Sequence, residues 1–377
     1  MRVAVINLTG GGISGGYSRY LAAILPRLSL SHDIAEILCA SPSSLKTETW
    51  LPFSPKTKFT ICNPFRFMKH RPEPRLTLEL DDFSPDVIFV PLERCMRYRD
   101  VPVVTMLQNM APLSGISAAS GALDKVKHFV QAFEARLAVK SAAAVIAPTE
   151  YVRNFLTKIW GLKEDKVITV NYGSDPLPES VRPTGGLNDE PFPGQFVLTA
   201  GSIEVYRGIE DLIQVMVPLK KIFPGLKLLV AGGARSGTQS YFQKLKKFAG
   251  QLELANNIIW LGNLPAEELS WCYLNCAAFT MTSRVESFGL VALEAMAHGC
   301  NCISATSACL PEIFKDSALY YAPGNVAALE KALLEVLKRD PTEQARFKAM
   351  AVKRASLFSW DICAEKTVAA LVKAAKK

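Results

Sequence analysis

Along this chain, short runs of apolar residues alternate with stretches in which apolar positions recur every three or four residues. The first form reads as strands covered on both faces, the second as amphipathic helices. In the first half the runs are Val3–Leu8, Ile34–Cys39, Val87–Val90, Val103–Leu107, Ala143–Ala147 and Val167–Asn171. Helical spacing marks Tyr17–Leu28 and Leu123–Val139, the latter with Leu123, Val126, Val130, Phe133 and Leu137 along one side. After Tyr172-Gly173-Ser174-Asp175 the chain is rich in proline and glycine and loses its periodicity over residues 176–194, which reads as a linker. A second alternation follows, with strands at Phe196–Ala200, Lys227–Ala231, Ile258–Leu261, Ala278–Met281, Cys302–Ala305 and Ala318–Tyr321. Strand–helix alternation implies parallel sheets with helices on both faces. The pattern predicts an α/β chain of two doubly wound, Rossmann-like domains, residues 1–175 and 195–360, joined by the linker and closed by a helix, Ile362–Ala375, within residues 361–377. Ligands of such sheets bind beyond the C-terminal ends of the strands, and two facing domains would form a cleft there.

At 377 residues a two-domain chain is the natural expectation. The formal net charge of +8 suits anionic ligands or an anionic membrane surface. No apolar run is long enough for a transmembrane helix, and the N-terminus enters a strand-like Val3-Ala4-Val5-Ile6 rather than a signal peptide. The nine cysteines are scattered, without a Cys-x-x-Cys, and the four histidines make no ligand spacing with them. They read as reduced, buried hydrophobes of a cytoplasmic protein. Glu79-Leu80-Asp81-Asp82 reads as a solvated helix end, and no metal site is expected. Across Lys56–Arg75, Lys56, Lys58, Arg66, Lys69, Arg71 and Arg75 outnumber the lone Glu73, with Phe59, Phe65, Phe67 and Met68 interleaved. Such a segment suits an anionic bilayer and equally a basic loop with packed aromatics. No recognition motif accompanies it, so nucleic acid is not expected.

The densest chemistry lies at Thr282–Gly299. Leu290, Leu293, Met296 and Ala297 recur at helical spacing, so a helix should begin near Phe288 and stop at Gly299. Glu286 then precedes the helix and Glu294 lies within it, with the N–H groups of the first turn and the positive dipole end between them. A ligand with a hydroxyl-rich head, a central phosphate and a second hydroxyl-bearing ring meets all three, and a nucleotide-sugar is such a ligand. After the first strand, Gly10-x-Gly12-x-x-Gly15 fits the dinucleotide fingerprint. That reading also needs an acid at the end of the second strand, and Ile34–Cys39 is followed by Ala40-Ser41-Pro42-Ser43. The glycines either make a tight turn or let backbone approach a phosphate or sugar.

Ser283 to Gly289 followed by Glu-Ala-Met-Ala-x-Gly resembles the signature of the family 4 retaining glycosyltransferases, in which Glu, seven residues, Glu binds the donor. The resemblance continues through Ile303-Ser304, Leu310-Pro311-Glu312-Ile313 and Phe358-Ser359-Trp360. It implies the GT-B fold, often with the last helix crossing back to the first domain, and a nucleoside-diphosphate-sugar donor without a metal or other cofactor. Carried onto this chain, Glu294 would hold the ribose and Glu286 the sugar hydroxyls. Arg207 and the backbone around Ser287, Phe288, Gly289 and Leu290 would bind the diphosphate, with Gly15-Gly16 facing it. Gly262, Asn263 and Leu264 would flank the base. Glu286 and Arg207 are thus the expected catalytic residues.

Two positions depart from the family pattern. Ser202 stands where an Arg of the phosphate clamp is usual, and Arg235 or Arg284 is a candidate replacement. Gln108, followed by Asn109, stands where a His that contacts the transferred sugar is expected. An amide can bond hydroxyls but takes no proton at neutral pH. His298 is expected to cap the helix of Glu294, and His70 and His128 to be solvated. The implied activity is transfer of a hexose-type sugar to a glycan, lipid-linked or small-molecule acceptor, with peripheral contact at the inner membrane face. Two alternatives stay open: a non-catalytic sugar-nucleotide-binding protein and an NAD-dependent oxidoreductase.

Overall fold

The structure, a computed structural model, describes the chain except residues 11–13, 53, 116–121, 185–186, 188–194 and 377, and the side chains of 122–125 and 236. It divides into two compact units. One comprises Met1–Leu113, Gly121–Gly173 and Phe358–Lys377, and the other is chiefly Ser174–Leu357.

The first unit holds a parallel sheet of β1 (Arg2–Ile6), β2 (Glu36–Pro42), β3 (Thr57–Cys62), β4 (Val87–Val90), β5 (Val103–Met106), β6 (Ala144–Ala147) and β7 (Val167–Thr169), in the order β3-β2-β1-β4-β5-β6-β7. Six of these strands follow the apolar runs: Val87–Val90 matches its run, and the ends of the others shift by at most three residues. The strand β3 was hidden in the basic segment. It pairs with β2 at the sheet edge, and most of its residues are only half covered, so its polar positions show. Within that segment Lys56 donates to the carbonyls of Ser31 and Ile34, and Lys58 pairs with Glu79 at 3.0 Å. These two cations are held by the protein itself.

Helix α1 (Gly15–Leu30) begins two residues before its expected start, because Ser14 caps it through Tyr17 N–H. Helix α2 (Ala122–Ser141) presents a different face from the one its apolar spacing suggested. Glu134, Ala135, Ala138 and Val139 are buried, whereas Val126, Phe129 and Phe133 are exposed. The buried Glu134 accepts from Cys95 N–H and pairs with His70 at 3.3 Å, so His70 is not solvated as expected. The closing helix, α6 (Trp360–Ala375), packs on α1. Tyr20, Tyr172 and Trp360 form a ring cluster with centroids 5.2–6.2 Å apart, and Arg27 bonds Asp361 at 2.6 Å.

The second unit holds β8 (Phe196–Ala200), β9 (Lys227–Ala231), β10 (Ile258–Gly262), β11 (Ala278–Met281), β12 (Cys302–Ala305) and β13 (Ala318–Tyr321). All pairs are parallel, in the order β10-β9-β8-β11-β12-β13. Helix α3 (Ile209–Ile222) buries Ile209, Leu212, Ile213, Met216 and Leu219 in one core with Val197, Leu228 and Val230 of the strands. The proline-rich stretch begins against α4 (Ala266–Asn275): Val181 N–H donates to Glu267 O, and Arg182 lies over the Trp271 ring. Of that stretch, only 176–184 and 187 lie among the described residues. No described helix is long and apolar enough to cross a membrane, and all nine cysteines are buried and free.

Candidate functional site

The strand order of the second sheet reverses between β8 and β11, and doubly wound sheets bind their ligands at that switch point. The loops leaving these two strands are Gly201–Gly208 and Thr282–Gly289, and they are stitched together. Arg284 N–H donates to Tyr206 O at 2.7 Å and Thr282 Oγ1 to Arg207 O at 2.5 Å. The result brings together two side chains 79 positions apart. Arg207 Nη1 donates to Ser283 Oγ at 3.0 Å and forms an ion pair with Glu286. Their side chains are only 16% and 13% exposed. Burial opposes the charge on Arg207, but Glu286, with Tyr206, Glu204 and Tyr273, holds its pKa above the ordinary value. Its buried Nε–H has no partner among the described residues. Such an orphan is costly, and a ligand acceptor would relieve it.

Helix α5 (Leu290–Ala297) starts two residues later than expected, because Gly289 adopts φ +89° at its N-cap and so ends the loop. A side chain at that φ would be strained. The Gly289 carbonyl takes the N–H groups of Ala292 and Leu293 at 2.9 and 3.2 Å. Gly289 and Leu290 lie ahead of these, at the positive helix end. Phe288 is buried and anchors the loop, and Ser287 is half-buried. Glu294 sits half-buried in the second turn and accepts from Tyr273 Oη at 3.0 Å. His298 is the C-cap of α5, and its Nδ1 lies 2.8 Å from Glu294 O. A carbonyl only accepts, so Nδ1 carries the proton.

The ends of β9 and β10 complete this edge. Gly232 N–H donates to Gly262 O at 2.6 Å, and Gly233 N–H to Asn263 Oδ1 at 2.8 Å. Gly232 lies directly against the Gly201 backbone, where a Cβ would collide with Gly201 O. Gly201 N–H and Ile203 N–H donate to Ala231 O and Gly233 O at 2.9 and 3.1 Å. Thus Gly262 and Asn263 are laced into the same edge as Ser202, while Leu264 is half-buried beside them. Of the two replacement cations, Arg284 is committed elsewhere: its Nη2 bonds the buried Asp211 at 3.0 Å. Arg235 is exposed, two residues beyond Gly233, and its charge reaches the Tyr206 hydroxyl.

In the first unit, Gln108 is turned inward. Its Nε2 donates to Pro91 O at 2.9 Å, and the Gln108 and Asn109 N–H groups donate to the buried Glu93 at 3.3 and 3.4 Å. Asn109 Oδ1 accepts from Ala111 N–H in a local turn. Gly15 and Gly16 form the first turn of α1, and a Cβ on Gly15 would meet nothing within 4 Å. Packing therefore does not demand glycine there. Gly11, Gly12 and Ile13 of the glycine loop lie outside the described residues. At the end of β2, Ser41 accepts from Asn7 Nδ2 at 2.7 Å, where a dinucleotide site would place its acid. Sequence reasoning missed Tyr273, Asp211 and Glu93, and it quoted Ser283 in the signature without giving it a role. Nothing in the local pattern marked the first three, since each acts through a partner distant in sequence.

Two family models match the chain: Glycosyltransferase Family 4 over residues 14–176 and Glycosyl transferases group 1 over residues 188–354. Glycogen synthase from Mycobacterium tuberculosis is 26% identical over 294 residues, 76% of this chain and 68% of the relative. A D-inositol 3-phosphate glycosyltransferase from Xylanimonas cellulosilytica is 25% identical over 288 residues, 74% of this chain and 68% of the relative. Among solved structures, sucrose-phosphate synthase from Thermosynechococcus elongatus superposes with a TM-score of 0.73 at 18% identity, over 97% of each chain. HepE from Anabaena, solved with UDP, gives 0.71 at 16% identity over 99% of this chain and 100% of that one. With two parallel-sheet units and these relatives, the chain belongs to the family 4 glycosyltransferases of GT-B fold.

Proposed function

We propose that the chain is a retaining hexosyltransferase that moves a sugar from a nucleoside-diphosphate sugar to a hydroxyl of a glycan or lipid-linked acceptor. The observation that carries this reading is the buried Arg207–Glu286 pair at the switch point, with an orphaned Arg207 Nε–H beside the positive end of α5. A donor diphosphate would draw Arg207 towards its own charge, and Glu286, released from part of that pairing, would take the sugar hydroxyls. Glu294 would hold the ribose, and Gly262 to Leu264 would flank the base. As the bond from the anomeric carbon to the diphosphate oxygen breaks, charge grows on the leaving group where Arg207 and the α5 amides stand. The acceptor oxygen bonds to the same face of that carbon, and its proton passes to the departing phosphate oxygen. No protein nucleophile takes part, and the donor is a co-substrate rather than a resident cofactor. HepE has been solved with UDP and with UDP-glucose, which supports the donor class.

On the acceptor side, we place peripheral contact with an anionic membrane on the outer face of α2. Val126, Phe129 and Phe133 are exposed there, and Phe67 packs on Phe133 with ring centroids 6.3 Å apart. Met68 is exposed on the same loop, and Arg66, Lys69 and Lys127 add charge. Apolar tips ringed by cations suit a bilayer of anionic lipids.

The test of the central reading is turnover with UDP-, GDP- and ADP-sugars and a membrane lipid extract as acceptor. Nucleoside diphosphate release with product of unchanged anomeric configuration, read by NMR, is expected. An inverted product would overturn the retaining assignment. Donor binding without turnover across the panel would favour a non-catalytic sugar-nucleotide-binding protein, a reading that Ser202 and Gln108 keep in view.

A further inference from the structure

We propose that Tyr273 is a positioning residue that aims Glu294 at the donor ribose, so that the site discriminates ribonucleotides from their 2′-deoxy counterparts. This rests on the donor reading above and adds to it a residue and a selectivity.

A glutamate on a helix surface carries three rotatable bonds, and fixing it for a ligand costs rotamer entropy at the moment of binding. Here the cost is met in the folded protein. Tyr273 Oη donates to Glu294 Oε2 at 3.0 Å, which fixes the plane of the carboxylate before any ligand arrives. The carboxylate accepts at both oxygens, so a ribose diol can still be received by the group that Tyr273 holds.

Tyr273 itself is held by contacts that do not involve its hydroxyl. It lies on α4 with its ring buried. The ring meets Phe279 edge-on at 5.7 Å between centroids and lies 4.9 Å from the His298 ring. His298 is in turn fixed at both nitrogens, Nδ1 to Glu294 O at 2.8 Å and Nε2 to Ser270 Oγ at 3.0 Å. The Tyr273 carbonyl accepts from the thiols of Cys276 and Cys300 at 3.3 and 3.2 Å. Helix α4, helix α5 and strand β11 thus converge on one ring, and the phenol oxygen is its reach to Glu294. A phenylalanine would keep the ring contacts with Phe279 and His298 and lose the phenol's bond to the carboxylate.

The separation of packing from hydrogen bonding makes the test selective. Dissociation constants of UDP, GDP and ADP, and of the 2′-deoxy form of whichever binds, are measured by calorimetry for wild type, Tyr273→Phe, Glu294→Gln and the double variant. Wild type should prefer the ribo form. A hydrogen bond to a charged group contributes about tenfold, so Tyr273→Phe should shrink the ribo/2′-deoxy ratio by about that factor, mainly by weakening the ribo form. The double variant should show no further loss beyond Glu294→Gln, because the two residues act as one unit. Equal weakening of both nucleotides by Tyr273→Phe, with the ratio intact, would mean a structural role only and overturn the proposal. A ratio unchanged in Glu294→Gln would overturn it as well. Failure of every nucleoside diphosphate to bind wild type would instead sink the donor reading, and the selectivity with it.

Discussion

The two sheets end in polar clusters of opposite character. In the second unit the cluster is ionic and under-satisfied: Arg207 and Glu286 share a buried pair, and Arg207 Nε–H stays unmatched. In the first unit the cluster is mostly neutral and mostly bonded, with Thr9 Oγ1 after β1 left unmatched. Tyr17 Oη donates to Asn7 Oδ1 at 2.7 Å, Asn7 Nδ2 donates to Ser41, and the one buried acid, Glu93, is taken up by two backbone N–H groups. Burial also raises the pKa of Tyr17 well above its ordinary value, so that network keeps its protons through the physiological range. A ligand entering the second cluster relieves a penalty already present in the protein, whereas one entering the first must compete with bonds already made. On the proposed function, charged-donor recognition would fall to the second unit and weaker, hydroxyl-type contacts to the first.

The sharpest way to break this comparison is to remove the pair. Arg207→Ala should lower turnover by about 100- to 1000-fold, the cost of losing one preorganised donor at a developing negative charge. It should also leave Glu286 buried without its cation, which destabilises the fold. Glu286→Gln keeps size and a hydrogen-bond acceptor but removes the charge that offsets buried Arg207, so it should lower both turnover and the melting temperature. Equal activity of Glu286→Gln and wild type at saturating donor would remove Glu286 from the chemistry. Replacing Gln108 by Ala should leave donor affinity unchanged if the contrast between the units holds.

The second prediction sharpens the charge count. Ser202 lacks the usual cation, Arg284 is tied to Asp211, and Arg235 stands exposed on a loop laced to Gly201. Arg235→Ala should weaken diphosphate binding by about tenfold, in the range of a single charge-assisted contact. Introducing Ser202→Arg into that variant should recover most of the loss. A structural role for Arg235 would not be rescued by a cation on the neighbouring strand end. Failure of the swap, with wild type binding normally, would leave Arg207 as the lone side-chain cation of the site.

The same contrast explains what could be read from sequence. Five strands of the second unit, Phe196–Ala200, Lys227–Ala231, Ala278–Met281, Cys302–Ala305 and Ala318–Tyr321, match their apolar runs residue for residue, because strands covered on both faces show unbroken hydrophobicity. The edge strand Thr57–Cys62 lacks that cover and was concealed by Lys58 and its threonines. Helical spacing found the helix Ala122–Ser141 but not its buried side, since a stripe through Val126, Val130 and Phe133 has the same period whether it meets a core or solvent. At the site, Glu286 and Glu294 were legible from their spacing around a helix start. Their pairings were not. Arg207 meets Glu286 and Tyr273 meets Glu294 only once the strand order brings distant loops together, and no local pattern encodes that.

The misread stripe leads to the prediction with the smallest effect on chemistry. Phe129 is 72% exposed and Phe133 48%, so neither is needed for the core. The loop that bears Phe67 and Met68 is tied to α2 by the His70–Glu134 pair and the Phe67–Phe133 ring contact, so the patch is presented as one surface. Phe129→Asp should change stability by less than about 0.5 kcal/mol, as exposed substitutions do, and Phe133→Asp by about 1 kcal/mol, because it also breaks the ring contact with Phe67. Donor affinity should stay at the wild-type value, because the charged cluster lies in the other unit. Pelleting with phosphatidylglycerol vesicles should be lost in both variants, while wild type should pellet with these and not with phosphatidylcholine vesicles. Pelleting that persists in the variants would move the membrane contact elsewhere on the chain. Wild-type binding indifferent to lipid charge would separate the aromatic stripe from the basic residues around it and remove the argument that the two form a single docking face.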